Sequence, residues 1–414
     1  MGTTTARPRR VHRPKPEPEE PAHAAAPSVS VQYSSGRVTG WVSHLPPSWV
    51  PYVQLARLTL PAALILIYLP TLFGVLLAAI LARGGGGGDG SNATDGDYHF
   101  PNPWWYTCLL LLVSSFFFSN AAHAWDDLAD APIDILIPRT ARRPIPRGDV
   151  SHLAAFTFVA ANAAGAGITL LGFPDPAGTL RYALPNILAT AYYPYAKRHT
   201  NLPQLVLGFC LAWGVVMGAV AVGCEPFALG DIIRLHPSNT LPHVFSPHLP
   251  QQPLSQLPLS PTLTLPLTLP FTTPPLNTTL TLSLPFLSLL TASALWSAIY
   301  DTIYAAEDIE ADLRLHLGSI AVLCGLRHTK TALWGLLGAL AGCLVLCGLS
   351  LPATAGWVFY VLAPGGCTAA LGAMVWSVDL RDARSTWWWF KYGYWLVGGA
   401  LVGGLGSEFM RRVG

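Results

Sequence analysis

Charge is scarce in this 414-residue chain: Asp, Glu, Lys and Arg make up 11% of it, against about one quarter in soluble domains. Hydrophobic residues make up 51%, which excludes an ordinary water-soluble globule and makes a bilayer the expected solvent. No stretch of basic residues interleaved with aromatics is present, so nucleic acid is not an expected partner. Cysteine is sparse as well. Cys108, Cys210, Cys224, Cys324, Cys343, Cys347 and Cys367 follow neither a metal-ligand spacing nor the loop pattern of a secreted disulfide framework. Cys343 and Cys347 are four apart with no His or carboxylate nearby, so they read as packing residues. Residues 84–88 are five glycines, but neither Lys nor a helix start follows, so the run reads as linker and not as a phosphate loop.

What the chain does have is apolar runs long enough to cross a hydrocarbon core of about 30 Å. They lie near residues 57–82, 105–128, 151–172, 179–195, 203–223, 285–305, 331–350, 355–376 and 392–409, which predicts an all-α, multi-pass membrane bundle of about nine transmembrane helices. Lys and Arg accumulate in loops on the cytoplasmic or equivalent side. Nine spans leave only Arg83, Arg181, Arg234, Arg411 and Arg412 on the opposite side, so one topology accounts for most of the charge. Residues 1–56 read as a disordered tail; Glu17, Glu19 and Glu20 among its arginines argue against a mitochondrial presequence. The membrane domain then runs over 57–233 and 285–414. Between them, 234–284 repeats Leu, Pro, Thr and Ser and reads as a low-complexity insert without regular structure, disordered or absent from the mature protein.

Two acidic constellations stand out. In AWDDLADAPIDILIPRTARRPIPRG, Asp126, Asp130 and Asp134 recur every four residues with Asp127 beside the first, so on a helix they share one face. Pro132 fits a helix only near a start, kink or break, so Asp134 is expected on a bent or new segment. In IYDTIYAAEDIEADLRLH the acids are Asp301, Asp308 and Asp312, with Glu307 and Glu310 read as solvated. Both constellations end even-numbered spans, hence meet at one membrane surface. One such cluster is equally an interfacial anchor; two with matched spacing and sidedness point to a shared site. Clustered carboxylates repel one another unless a cation lies between them, and Mg2+ takes carboxylates together with substrate phosphates. The metal set is therefore Asp126, Asp127, Asp130, Asp134, Asp308 and Asp312. Arg139, Arg143, Lys197 and Arg198 are the candidate diphosphate-binding bases.

These residues resemble the UbiA family of membrane prenyltransferases, over nearly all of the chain from residue 50 onward except the insert. The family pattern NDxxDxxxD, then RTxxRP and a Gly, is similar to DDLADAPID, RTARRP and Gly148, with Asp126 in place of Asn. DxxxYAxxDxxxD is matched by Asp301, Tyr304, Ala305, Asp308 and Asp312. YYPYAKRHTNLPQLVLG resembles YPxxKRxTxxPQxxLG. The resemblance implies helices around a central cavity that opens sideways to lipid, with a prenyl diphosphate and an aromatic small-molecule acceptor as partners. Two departures are Ser119, where many members have Arg, and Gly318, where many have Lys.

On that footing, Asp301 and Tyr304 are the candidate catalytic residues, and Tyr192, Tyr193 and Tyr195 the aromatic faces toward an allylic cation. Trp387, Trp388, Trp389 and Trp395 read as interfacial anchors. The expected reaction moves a farnesyl-like or longer prenyl group to a phenol, in meroterpenoid or other specialised metabolism. Prenylation of 4-hydroxybenzoate for ubiquinone is the alternative, and a transporter with intramembrane carboxylates the alternative of another class. An endomembrane location is favoured, with the mitochondrial inner membrane as the second option; the sequons at Asn92 and Asn277 allow a glycosylation test.

Overall fold

A computed structural model describes residues 40–59, 62–84, 101–229, 261–269 and 276–413. Most of the expected N-terminal tail, most of the glycine run and Asn92 lie outside the described residues. Helices dominate: α1 (Val50–Leu55), α2 (Ala62–Gly84), α3 (Trp104–Asp134), α4 (His152–Thr169), α5 (Pro176–Ala196), α6 (Pro203–Ala212), α7 (Gly214–Ala221), α8 (Leu284–Ala305), α9 (Ile309–Arg314), α10 (Ile320–Leu349), α11 (Trp357–Tyr360), α12 (Cys367–Ser377) and α13 (Ala383–Val413).

Among the described residues, seven helical stretches are long and apolar enough to cross a membrane: Ala62–Arg83, Trp104–Asp134, His152–Gly172, Pro203–Ala221, Leu284–Arg314, Ile320–Leu349 and Trp357–Ser377. Helices α5 and α13 occupy the places of the two remaining expected spans. The outer surface is what a bilayer requires, since Leu153, Phe156, Ile168, Leu188, Trp357 and Trp376 all point away from the protein interior. Hydrocarbon covers such side chains without cost, while the helices satisfy their own backbone groups.

Proline placement explains two local features. Helix α3 runs unbroken through Pro132 to Asp134, so its four aspartates share one helix; this corrects the expectation of a break there. Pro132 lies in the last turn, where a lost N–H interrupts little. The second acidic segment does break, because α8 passes through a tight turn at Ala306–Asp308 before α9 begins.

The segment expected to lack regular structure holds two strands. β2 (Thr262–Leu269) pairs antiparallel with β3 (Leu276–Ser283), which also pairs with β1 (Phe227–Leu229). The Thr-Leu alternation of TLTLPLTL is a period of two, and threonine favours extended backbone. Pro266 is tolerated because β2 is an edge strand in the order β1-β3-β2. None of the described residues between 212 and 295 lines the central cavity. Phe227 and Leu282 are cross-strand partners, about 5 Å apart as such partners are, so a short linker spans a deletion of 236–282. Membranes carrying that deletion should still form product.

Candidate active site

One cavity of about 290 Å³ opens between α2, α3, α5, α6, α8 and the segment after α3. Its rim is charged and its depth apolar. Asp126, Asp130, Asp134, Asp301, Asp308 and Asp312 line it, together with Arg57, Arg139, Arg143 and Lys197. The two acidic motifs, far apart in sequence, therefore face a common space.

Each group of acids is held by bases from a different segment. Arg57, between α1 and α2, donates from Nη2 to Asp126 Oδ2 and to Asp127 Oδ1, 2.9 Å each. Arg143 Nη1 lies 3.0 Å from Asp127 Oδ1 and 2.8 Å from Asp134 Oδ2. Lys197 Nζ donates to Asp130 Oδ2 at 2.5 Å, and Arg198 Nη2 reaches Asp130 Oδ1 at 3.4 Å. Across the cavity, Arg139 grips Asp308 with two N–H groups, Nε to Oδ1 at 3.0 Å and Nη2 to Oδ2, and donates from Nη1 to Tyr304 Oη at 2.8 Å. Its guanidinium also lies 4.9 Å from the Tyr304 ring centroid. Burial disfavours the charge on Arg139, yet Tyr304 and Asp308 outweigh it and hold the group above the ordinary arginine range. Arg139 thereby bridges the segment after α3 to the end of α8, which fixes the two motifs opposite each other.

Two glycines matter for different reasons. Gly148, the last residue of the first motif, has φ +85° with open space around it, so its demand is conformational. Gly318 needs space: a Cβ there would overlap Thr200 O and approach Asn201 Oδ1 to 2.8 Å, while its own N–H bonds Lys197 O at 2.7 Å. A Lys at 318 has no room in this packing; the positive charge beside the second motif comes from Lys197 and Arg139. At the other departure, Ser119 O accepts from His123 Nδ1 at 2.8 Å. A carbonyl can only accept, so the ring proton sits on Nδ1.

Several expected site residues are gathered and several are not. Tyr193, Tyr304 and Asp301 line the cavity. Tyr192 does not: it is 42% exposed on the outer side of α5 and stacks on His199, because neighbours on a helix point about 100° apart. Tyr195 lies under Arg198 at 5.2 Å, and neither residue lines the cavity. Asp127 is fully buried behind the wall, tied to Arg57 and Arg143. Glu307 is not simply solvated, since it accepts from Thr386 Oγ1. Trp387, expected as an anchor, lines the cavity with Phe390, stacked at 5.9 Å and 19°; Trp388 and Trp395 are exposed as anchors are. Arg57, a basic-side residue at the start of the first apolar run, carries no site signal in the sequence; α1, just before it, orders the stretch expected to be disordered.

The donor set suits a hard divalent cation, being all carboxylate oxygen. Six aspartates and four bases line the cavity, an acidic excess that repels a diphosphate unless a cation accompanies it. Among the described residues no three acids converge as a ready-made cage; Arg57, Lys197 and Arg139 engage them instead.

Comparison with known proteins agrees with this architecture. Residues 98–397 match the family model described as the UbiA prenyltransferase family. Prenyltransferase stbC of Stachybotrys bisbyi is 27% identical over 407 residues, covering 96% of this chain and 98% of its own. The mitochondrial 4-hydroxybenzoate polyprenyltransferase of Schizosaccharomyces pombe is 25% identical over 388 residues, with 92% and 88% covered. The apo structure of a UbiA homolog from Aeropyrum pernix K1 superimposes with a TM-score of 0.53 at 20% identity, covering 84% of this chain and 98% of that one. With the motif spacing, the bundle and a match spanning most of its length, the chain belongs to the UbiA prenyltransferase family and is an integral membrane prenyltransferase.

Proposed function

We propose that the chain transfers a farnesyl-like or longer prenyl group from its allylic diphosphate to an aromatic phenol, in a magnesium-dependent reaction. The observation that carries this reading is the pair of acidic motifs facing one cavity whose rim is charged and whose depth is apolar. Asp126, Asp130, Asp308 and Asp312 are the residues that would hold magnesium. Bound there, the metal neutralises the diphosphate and stabilises it as a leaving group.

Lys197 and Arg139 now hold Asp130 and Asp308; when a diphosphate enters, both can turn to its oxygens and release the acids as ligands. The allylic C–O bond breaks with its electron pair leaving on the diphosphate. Tyr193, Tyr304, Trp387 and Phe390 present aromatic surface to the cation, stabilising it and keeping water away. A ring carbon of the phenol then forms the new C–C bond, and its proton passes to Asp301, half-buried in the cavity wall beside Gln204.

The acceptor divides two readings. The full-length similarity to stbC favours a specialised-metabolism phenol, and that to the yeast enzyme favours 4-hydroxybenzoate; Ser119 and Gly318 favour the first. Membranes incubated with geranyl, farnesyl and longer diphosphates against a phenol panel, with magnesium or with chelator, test the proposal. Product is expected only with magnesium, and on a polyketide-type phenol in preference to 4-hydroxybenzoate. Product formed equally in chelator would overturn the metal assignment. The protein is expected in endomembranes with the acidic motifs facing the cytosol; glycosidase-sensitive mobility supports that location, and import into mitochondria would refute it.

A further inference from the structure

His123 lines the cavity on the same face of α3 as the acids, since positions 123, 126, 130 and 134 are spaced by three, four and four. The helix is unbroken over this stretch. At about 1.5 Å per residue, His123 lies about 4.5 Å deeper than Asp126, with the apolar Ala122 and Phe118 next along the wall. Its ring is half-buried. Among the described residues, both of the ring's hydrogen-bond contacts use Nδ1, with Ser119 O at 2.8 Å and Ser119 Oγ at 3.2 Å. Nδ1 is thereby turned back on its own helix and carries the proton. Nε2, at the end of the ring away from the backbone, keeps a lone pair in the neutral imidazole, and no donor of the described residues bonds it.

An acceptor in a largely apolar wall calls for a donor, and the two substrates differ in what they offer. An ionised prenyl diphosphate has acceptor oxygens and hydrocarbon. A phenol has a hydroxyl that donates. With that hydroxyl on Nε2, the aromatic ring sits just below the acids, where the allylic carbon hangs from the diphosphate, and Tyr193 offers its face from α5. The bond also bears on the chemistry. As the prenyl carbon joins a ring carbon ortho or para to the hydroxyl, positive charge spreads onto the phenol oxygen and makes its O–H a stronger donor, so the bond to Nε2 tightens in the transition state. The hydroxyl keeps its proton; the proton lost is the one on the attacked ring carbon, which passes to Asp301 and restores the aromatic ring.

We infer that His123 is a further catalytic residue, whose Nε2 receives the hydroxyl of the aromatic acceptor and so fixes which ring carbons meet the prenyl cation. The inference rests on the proposed function and adds to it the residue that recognises the phenol. The test uses the full chain in membranes with magnesium and a phenol it prenylates, the phenol and farnesyl diphosphate being varied separately. His123→Asn keeps an N–H for Ser119 O and withdraws the cavity-side nitrogen; it is expected to lower kcat/KM for the phenol by about tenfold or more, with KM for farnesyl diphosphate unchanged. His123→Gln places an amide oxygen where Nε2 stood and is expected to recover most of the loss. The methyl ether of the same phenol has no proton to donate, so the parent chain is expected to bind it, as a competing inhibitor, about tenfold or more weakly than the phenol, and His123→Asn to abolish that gap. His123→Leu reads the same quantities if the asparagine variant does not fold. Unchanged acceptor kinetics in the folded variants, or a loss that falls on magnesium or farnesyl diphosphate instead, overturns the assignment and leaves the proposed reaction standing. A parent chain that transfers to no phenol refutes the reaction itself.

Discussion

Asp308→Asn is expected to reduce prenyl transfer by at least about 10²-fold, the loss typical of removing one preorganised charge from a reacting site. The substitution is nearly isosteric, so membrane insertion and expression level should match the parent. What changes is charge. Arg139 loses the carboxylate that accepts two of its N–H groups, and magnesium loses a donor on the α8 side. Asp130→Asn removes the corresponding group on α3, where Lys197 and Arg198 converge, and should be equally damaging. Product formation by membranes with matched protein levels is the measurement. Near-normal rates in both variants would remove these aspartates from the reaction.

The second large effect is on stability. Arg143 was expected to bind diphosphate, but its Nη1 sits between Asp127 and Asp134, which are 0% and 2% exposed. Removing one partner of a buried ion pair leaves charge without compensation and costs about 3–5 kcal/mol. Arg143→Ala should therefore lower the unfolding free energy of the detergent-solubilised chain by about that amount in a denaturant titration. The double variant Arg143→Ala with Asp134→Ala should regain part of the loss, because one of the two stranded acids is gone. Equal destabilisation in single and double variants would mean that Arg143 acts through other contacts.

Sequence periodicity carried the fold well where a helix reports its environment directly. The apolar runs located the spans, and the four-residue recurrence of Asp126, Asp130 and Asp134 located the acidic face. Spacing within a helix cannot say which neighbouring base takes which acid, so Arg143 and Arg139 looked interchangeable. The structure separates them, one as an internal strut and one as a bridge to Asp308. Tyr192 and Tyr195 illustrate the same limit, because a cluster of aromatics on one helix turn necessarily points in several directions, and only Tyr193 faces inward. Arg57, one base at the start of the first apolar run, carried no site signal. The strands at 262–283 were hidden by proline content, although the Thr-Leu alternation carried the signal. Trp387 was obscured because tryptophans near a membrane surface usually anchor, and only the packing of α13 turns this one toward the cavity.

The proposed reaction requires that the two acidic motifs share one divalent cation site that receives a diphosphate. The most direct measurement is calorimetric titration of the purified full chain with a farnesyl thiodiphosphate that resists ionisation, in magnesium and in chelator, repeated with the Asp130→Asn, Asp308→Asn double variant. Saturable binding that requires magnesium and disappears in the double variant is the predicted result. Equal affinity in chelator, or in the double variant, would contradict a shared cation site.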